Sequence, residues 1–331
     1  MYTEDDLLSA VQAGALSADA ADALRSHAAS RRATPVVDEE HFRLVTGFND
    51  IFVVIACVLM LVSVAWIGNA AAHWVGSLAV AACAWGLAEF FVRKRHMALP
   101  AIVLLVAFVG GLFTSIFSVA GDGQGLMVAA GALLAAVGAW LHWQRFHVPI
   151  TVAAGCAALV GAVWALLLKS FPTLFSWMSL VILVGGVVVF IVALRWDASD
   201  TQRRTRRADV AFWLHLLAAP LLVHPLFAML SLAGDTIALW QALVVLLAYG
   251  AIAAVSLVID RRALMVSALG YVLYTFSALL KQYGNVGLGF AITALALGAA
   301  LLLLSAFWHR TRSALLRKVP LAVQRYIAPL Q

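Results

Sequence analysis

Charged residues are scarce in this chain, and cysteine and proline are few. Only 11% of the 331 residues are charged, whereas 64% are hydrophobic and the mean hydropathy is +0.98. A soluble domain is about 25% charged and about 45–50% apolar, so this chain would expose large apolar surfaces in water. The composition therefore excludes an ordinary soluble globular protein and is typical of a protein that folds in lipid.

The three cysteines offer no framework for a disulfide or a metal. Cys57, Cys83 and Cys156 all lie inside apolar segments, and their spacing matches no zinc or haem motif. We expect them to be small packing residues and expect neither a metal nor another cofactor. The sequence also lacks H-E-x-x-H, Walker and G-x-S-x-G motifs and an intramembrane Asp pair, so no catalytic residue is assigned. An integral-membrane enzyme acting on lipids therefore has little support.

Acidic residues are unevenly distributed along the chain. Eight of the 16 lie in the first 40 residues, and from residue 41 onward 19 Lys and Arg face eight acids. No basic stretch is interleaved with exposed aromatic residues on a folded face, so we expect no nucleic-acid partner. An acidic leader thus precedes a unit with basic loops.

The leader, residues 3–32, reads as a pair of short helices. Thr3 and Ser17 are placed to cap the two helices, and Gly14 suits the end of the first. The apolar seam of the pair is too thin for an independent core. We therefore expect residues 1–32 to dock on the membrane unit or to bind a cytoplasmic protein partner.

Ten apolar segments follow the leader. Each is long enough, or nearly so, to cross a hydrocarbon core of ~30 Å at 1.5 Å per residue. The predicted fold is an all-α polytopic membrane protein with about ten transmembrane helices arranged as five hairpins. The predicted domains are 1–40 for the helix pair and linker, 41–309 for the membrane unit and 310–331 for a basic amphipathic cytoplasmic tail on the inner leaflet. The segments are 47–67, 72–92, 98–119, 126–142, 148–168, 174–194, 208–231, 237–259, 263–280 and 286–308.

Arginine and lysine lie almost entirely in alternate loops. They follow the even-numbered segments, as in Arg93–Arg95 and Arg261–Arg262. Seventeen of the 19 basic residues fall on this side, and Lys169 and Lys281 are the two exceptions. By the positive-inside rule this side is cytoplasmic, and both termini share it. We expect a multi-pass protein in contact with membrane lipids.

The five outer turns resemble one another. In four of them a Gly precedes a short polar residue that can cap the next helix, and SVAGD at 118–122 is close to SLAGD at 231–235. One interpretation is a duplication in which the third to sixth segments recur as the seventh to tenth. The other is that short outer turns converge on glycine and a cap.

Two resemblances bear on these predictions. The leader pattern Leu7–Gln12, Gly14, Leu16–Ser17 and Ala20–Leu24, followed by an apolar bundle, resembles an uncharacterised family of bacterial multi-pass predicted membrane proteins. That resemblance implies a bacterial inner (plasma) membrane protein of unassigned activity. The ten-segment topology looks like the drug/metabolite transporter architecture of two inverted five-helix halves. The hairpin repeat departs from that architecture, because a repeat unit with an even number of helices is parallel and not inverted.

The seventh segment carries the candidate site. His215, Pro220, His224 and Pro225 stand where neighbouring segments are almost wholly apolar. Intramembrane histidine and an interrupted helix are both features of transport sites. The two histidines are nine residues apart, so on a straight helix they face opposite sides, ~13 Å apart along the axis. Pro220 is therefore the predicted break, and the alternative is a kink that only shapes packing.

Three tyrosines extend this candidate ligand-binding site. Tyr249 lies in the eighth segment, and Tyr271 and Tyr274 lie three residues apart on one face of the ninth. They can supply hydroxyl groups to a pocket beside the seventh segment. The alternative is aromatic packing with satisfied hydroxyl groups.

Two functions follow from these residues. The first is a carrier for a small or amphipathic solute with its site near the predicted break. The second is a non-transport scaffold or accessory subunit that binds its partner through the leader, which the scarcity of intramembrane charge favours.

Elsewhere, Glu89 and Arg93 are spaced for an ion pair, and pairs such as Gly110–Gly111 and Gly185–Gly186 indicate close helix contacts.

Overall fold

The structure is helical in every part of the chain that it describes. This computed structural model describes residues 4–31, 48–119, 124–201, 205–229 and 239–283, together with 295, 298–299, 302–303, 306–317 and 320. These residues contain no strand. Contacts divide the chain into two compact units, Met1–Arg43 and Leu44–Gln331.

The first unit is the predicted helix pair, α1 (Glu4–Gln12) and α2 (Ala18–Arg31). Gly14 closes α1 with a positive φ of 70°, a conformation that glycine adopts without strain. The Ser17 hydroxyl accepts a hydrogen bond from the Ala20 N–H at 3.2 Å, which is the predicted cap of α2. Both predictions are confirmed, whereas Thr3 lies outside the described residues.

The second unit is a bundle of apolar helices. Counting only described residues, seven spans are long and apolar enough to cross a membrane, from α3 to α9. The described apolar parts of α10 and α11 are shorter, and most of the tenth predicted segment lies outside the described residues. The helices support a multi-pass membrane protein. They are α3 (Phe48–Asn69), α4 (His73–Phe91), α5 (Ala98–Phe117), α6 (Gln124–Phe146), α7 (Ile150–Ser170), a 3₁₀ helix (Pro172–Trp177), α8 (Met178–Ala198), α9 (Arg206–Met229), α10 (Leu239–Ile259), α11 (Ala263–Tyr283) and α12 (Trp308–Leu316).

Neighbouring helices pack through small residues. A Cβ added at Gly111 of α5 would lie 2.7 Å from the Ser77 carbonyl oxygen of α4, and one at Gly186 of α8 would lie 2.8 Å from the Leu221 backbone of α9. These positions confirm the predicted close contacts. Gly110, by contrast, has no atom within 4 Å of such a Cβ, so the prediction is wrong for that residue.

Three of the helix pairs joined by basic loops pack most extensively. These pairs are α4 with α5, α6 with α7, and α8 with α9. The helices α7 and α8 make little direct contact, although they are consecutive, and α9 packs against both. The five-hairpin arrangement therefore stays a prediction.

The outer surface of the bundle is strongly apolar. Trp66 is 80% exposed and Ile67 is 74% exposed on α3, and large apolar side chains are exposed on α3 to α11. In water this surface would be an aggregation hazard. In a bilayer it is the surface that contacts the hydrocarbon chains.

The last described helix, α12, begins before the predicted tail at residue 310. Its residues Trp308, Arg312 and Leu316 recur every four positions and are all buried. Trp308 packs with Leu257 of α10 and Met265 of α11. This face of α12 is therefore docked on the bundle, while Arg310 and Arg317 are exposed.

Candidate functional site

The helix α9 is not broken at its prolines. Pro220 and Pro225 both lie inside one α-helix that runs from Arg206 to Met229. The predicted interruption at Pro220 is therefore wrong. A proline removes one backbone N–H and so one helical hydrogen bond. Packing against neighbouring helices can keep the other backbone hydrogen bonds of the helix intact. Pro220 is exposed, so its ring does not line a buried site.

The two histidines of α9 face different neighbours, as their spacing predicts. His215 is fully buried, and its ring meets Phe190 of α8 edge to face at a centroid distance of 5.5 Å. Its Nδ1–H donates to the Ala211 carbonyl oxygen at 2.8 Å. His224 lies on the other side and shares a hydrogen bond with the Tyr271 hydroxyl of α11. The two imidazoles thus belong to separate sites.

The structure brings together part of the predicted ligand-binding set. The Phe227 ring of α9 stacks on Tyr271, with centroids 4.7 Å apart and planes 7° apart. Tyr249 packs against the same apolar cluster, and its hydroxyl is buried with no hydrogen-bond partner among the described residues. His224 and Tyr271 therefore form one site, and we call this pair, together with Tyr249 on the same apolar cluster, the His–Tyr site. His215 and Pro220 lie outside it, and Tyr274 is 51% exposed.

A second polar site, which sequence reasoning missed, lies at the basic-loop ends of the helices. Arg261, in the turn between α10 and α11, is 3% exposed. It donates two hydrogen bonds to the Asp197 carboxylate of α8, at 2.6 and 3.2 Å, and a third to the Ala208 carbonyl oxygen of α9 at 3.2 Å. His215 Nδ1 lies 3.7 Å from the same carboxylate. One guanidinium group therefore ties together three parts of the bundle.

The residues on either side of Arg261 extend this site to α12. Asp260 has a positive φ of 59°, and its Oδ1 accepts a hydrogen bond from the Trp308 indole N–H at 2.7 Å. Arg312 Nε lies 3.8 Å from the same oxygen. The Arg262 guanidinium lies 4.9 Å from the centre of the Trp308 ring. We call this group, with Asp197 and Arg261, the ionic cluster.

The ionic cluster was hidden in the sequence by its location. Arg261 and Arg312 follow apolar segments, so the sequence identifies them only as markers of topology. The acidic residues of the cluster are the feature of the sequence that could have revealed it. Asp197 and Asp260 are two of only eight acidic residues beyond residue 40, and both stand at helix ends beside arginines. The C-terminal end of a helix carries a partial negative charge, which is unfavourable for a carboxylate there. Such a carboxylate is therefore expected to have a cation nearby.

A related ion pair joins α4 to α6. The Arg145 guanidinium donates two hydrogen bonds to Glu89, at 2.7 and 3.1 Å. Arg93 adds a third at 3.2 Å, so the predicted pair of Glu89 and Arg93 is confirmed. Arg145 was not expected to take part. These side chains are more exposed than the Asp197–Arg261 pair, so the contact is weaker.

Another buried polar contact ties α6 to α7. His142 is fully buried, and its Nδ1 lies 3.2 Å from the Thr151 hydroxyl oxygen. The ring packs among Trp85, Phe108 and Phe146, with its centre 4.6 Å from that of Phe146. The hydrogen bond links α6 to α7, and the contacts with Trp85 and Phe108 pack the same ring against α4 and α5.

The chemistry available to these sites is polar recognition and proton exchange. Within the described ranges, no group of three or more His, Cys, Asp or Glu side chains could hold a metal ion. No protein-family model, curated protein or solved structure matches the chain, which agrees with the resemblance of its leader to an uncharacterised multi-pass family.

Proposed function

We propose that the protein is a carrier for a small or amphipathic solute in the bacterial inner membrane. In this proposal ten transmembrane helices form five hairpins, and both termini are cytoplasmic. One observation supports it most: α9 presents a histidine to a different polar partner on each of its two faces, within a bundle of mostly apolar helices. Polar and ionisable side chains are costly at membrane depth, so such groups usually have a function there.

In this proposal the His–Tyr site binds the solute and the ionic cluster controls access from the cytoplasm. The His–Tyr site supplies an imidazole and phenol groups that can exchange their mutual hydrogen bond for one to a solute. His224 is exposed at the edge of this site, so a solute can reach it without unfolding of the bundle. The Tyr249 hydroxyl, which has no partner among the described residues, can accept or donate a further hydrogen bond.

The ionic cluster closes the cytoplasmic end in this proposal. Arg261 holds the end of α8, the start of α9 and the turn before α11 together. Access from the cytoplasm then requires that the Asp197–Arg261 pair separate. Hydration of both ions by incoming water offsets the lost contact, which makes a closure of this kind reversible.

Substitutions of Tyr271 and Tyr274 provide the test. Tyr271→Phe removes the hydroxyl group that bonds His224, whereas Tyr274→Phe removes an exposed hydroxyl three residues away on the same helix. We expect Tyr271→Phe and His224→Phe to lower affinity for the transported solute about tenfold, which corresponds to the loss of one hydrogen bond of about 1.4 kcal/mol. Tyr274→Phe should leave affinity unchanged.

The measurement is a ligand-induced thermal shift on the purified full-length protein, followed by uptake into proteoliposomes. A panel of amphipathic cations, amino acids and sugars serves as the probe set. A solute that stabilises wild type, Tyr271→Phe and His224→Phe equally would place its site elsewhere. If no panel member were taken up and none shifted the melting temperature, the carrier proposal would lose its support.

The alternative is a scaffold or accessory subunit that binds a cytoplasmic partner through residues 1–32. A separate observation favours it: Leu24 on α2 is 46% exposed in a unit of its own. Exposed apolar side chains on a small helical unit are typical anchors for a partner protein.

Deletion of residues 1–32 tests the scaffold. We expect the truncated protein to insert and melt as the full chain does, but to lose a stoichiometric partner. Leu24→Glu should reproduce the loss, whereas Ala23→Glu, at an exposed neighbouring position, should not. Quantitative co-purification from the native membrane measures the effect. A partner that persists through both the deletion and Leu24→Glu would rule out this role for the leader.

A further inference from the structure

An apolar groove of about 420 Å³ runs between α7 and α8. Five residues of α7, from Leu159 to Leu167, form one wall, and five of α8, from Leu180 to Val188, form the other. Apart from Trp164 and Gly185, the lining consists of leucine and valine. The groove is separate from both the His–Tyr site and the ionic cluster.

The groove lies where two consecutive helices pack weakly. The helix α9 packs against both α7 and α8, whereas these two consecutive helices barely touch each other. Gly186 lets α8 approach the Leu221 backbone of α9 closely, since a Cβ there would lie 2.8 Å from it. The groove lies between α7 and α8, and no residue of α9 lines it.

Trp164 gives the groove a fixed wall. A Cβ at Gly185 would lie 2.9 Å from Cζ2 of the Trp164 ring, so the ring fits only because residue 185 is glycine. The indole of α7 therefore reaches across to the backbone of α8 and limits the depth of the groove. Because the ring is already held in place, binding of an apolar ligand against it would cost the protein little conformational entropy.

The lining favours a hydrocarbon chain over a polar ligand. The part of α7 that lines the groove covers eight residue steps, about 12 Å of helix axis. Apart from the indole N–H of Trp164, the ten lining residues offer no polar side-chain atom, so a ligand that needs several hydrogen bonds would be left without partners. The ligand that suits this surface is an alkyl chain that runs along the two helices.

The ends of the groove indicate where a lipid headgroup would lie. The groove occupies the half of α7 and α8 nearest the 3₁₀ helix that joins them. Phe171, Phe175 and Trp177 are 58%, 71% and 61% exposed in and beside that 3₁₀ helix. Exposed aromatic residues at the ends of transmembrane helices are typical of the headgroup level of a bilayer.

We propose that this groove binds one acyl chain of a membrane phospholipid, whose headgroup lies beside the aromatic 3₁₀ helix. The walls of the groove bury the chain, and the aromatic side chains hold the glycerol region. The bound acyl chain fills the space between α7 and α8, where the two helices make little direct contact. This site depends on the membrane location of the chain and is independent of any carrier activity.

A photo-crosslinking experiment tests the site. The full-length protein is reconstituted in nanodiscs of phosphatidylethanolamine and phosphatidylglycerol that contain a phosphatidylethanolamine with a diazirine in one acyl chain. Val188→Phe on α8 and Val163→Phe on α7 fill the groove from opposite walls, and both positions are already about half exposed. Val187→Phe is the matched control, because Val187 is exposed but does not line the groove.

We expect label on peptides of α7 and α8 to fall about tenfold in both groove-filling variants, because each ring removes the contact of several methylene groups with the walls. Val187→Phe should retain the labelling of the wild type. Equal labelling of all four proteins would mean that only bulk lipid contacts this face and would overturn the proposal. Crosslinks between two copies through groove residues would overturn it in favour of a dimer contact.

Discussion

Replacement of Arg261 by methionine is expected to destabilise the membrane unit by about 3–5 kcal/mol. Arg261 is 3% exposed and makes three hydrogen bonds, two of them to Asp197. Its loss leaves the Asp197 carboxylate without its cation and the Ala208 carbonyl oxygen without this donor. Thermal unfolding of the full chain in detergent, followed by tryptophan fluorescence, measures the change.

Two further variants isolate the cause. The double variant Asp197→Leu with Arg261→Met should recover much of the loss, because an apolar pair replaces a buried ion pair at little net cost. Arg207→Met removes an exposed arginine at the start of α9 and should change stability by about 0.5 kcal/mol or less. If Arg261→Met melted like Arg207→Met, the pair would contribute nothing and the cluster would not hold the helices together.

The second large effect is expected at two adjacent glycines of α5. A Cβ at Gly111 would lie 2.7 Å from the Ser77 carbonyl oxygen and 3.1 Å from the Ala81 nitrogen, both backbone atoms of α4. Backbone atoms cannot turn aside as a side chain can, so α5 must move away from α4. We expect Gly111→Ala to cost about 1–3 kcal/mol, the usual cost of overpacking.

Gly110→Ala is the control for this effect. No atom lies within 4 Å of a Cβ at Gly110, so only helix propensity changes there. Alanine should stabilise α5 by up to about 1 kcal/mol at that position. The two variants therefore differ in sign, and the same thermal assay compares them. Equal melting temperatures for the two variants would show that α4 and α5 are not as close as described.

Local patterns in the sequence predicted much of this fold. Hydropathy located the helices because a transmembrane helix needs a continuous apolar run. The Ser17 cap and the Gly14 stop were predictable because each acts on backbone within a few residues of itself. The opposite orientation of His215 and His224 followed from helical periodicity alone.

The candidate sites were less predictable because their contacts join distant residues. Arg261 bonds Asp197, 64 residues earlier, and Arg145 bonds Glu89, 56 residues earlier. Nothing local distinguishes these arginines from others in the basic loops. The pairing of His224 with Tyr271, 47 residues apart, was anticipated only as two groups near one pocket. The unbroken course of α9 was missed because the effect of a proline depends on the helices packed around it.

The three acid–arginine contacts that join different helices have a consequence for the synthesis of the chain. In Glu89–Arg145, Asp197–Arg261 and Asp260–Arg312 the carboxylate is always made first, and the arginine follows 52 to 64 residues later. At roughly 5–20 residues per second, each acid waits roughly 3–13 s for its partner. Each arginine therefore reaches its acid only after the next two apolar segments have left the ribosome. A chain that stalls before residue 261 leaves Asp197 without Arg261, whereas Glu89 already has Arg93 four residues later.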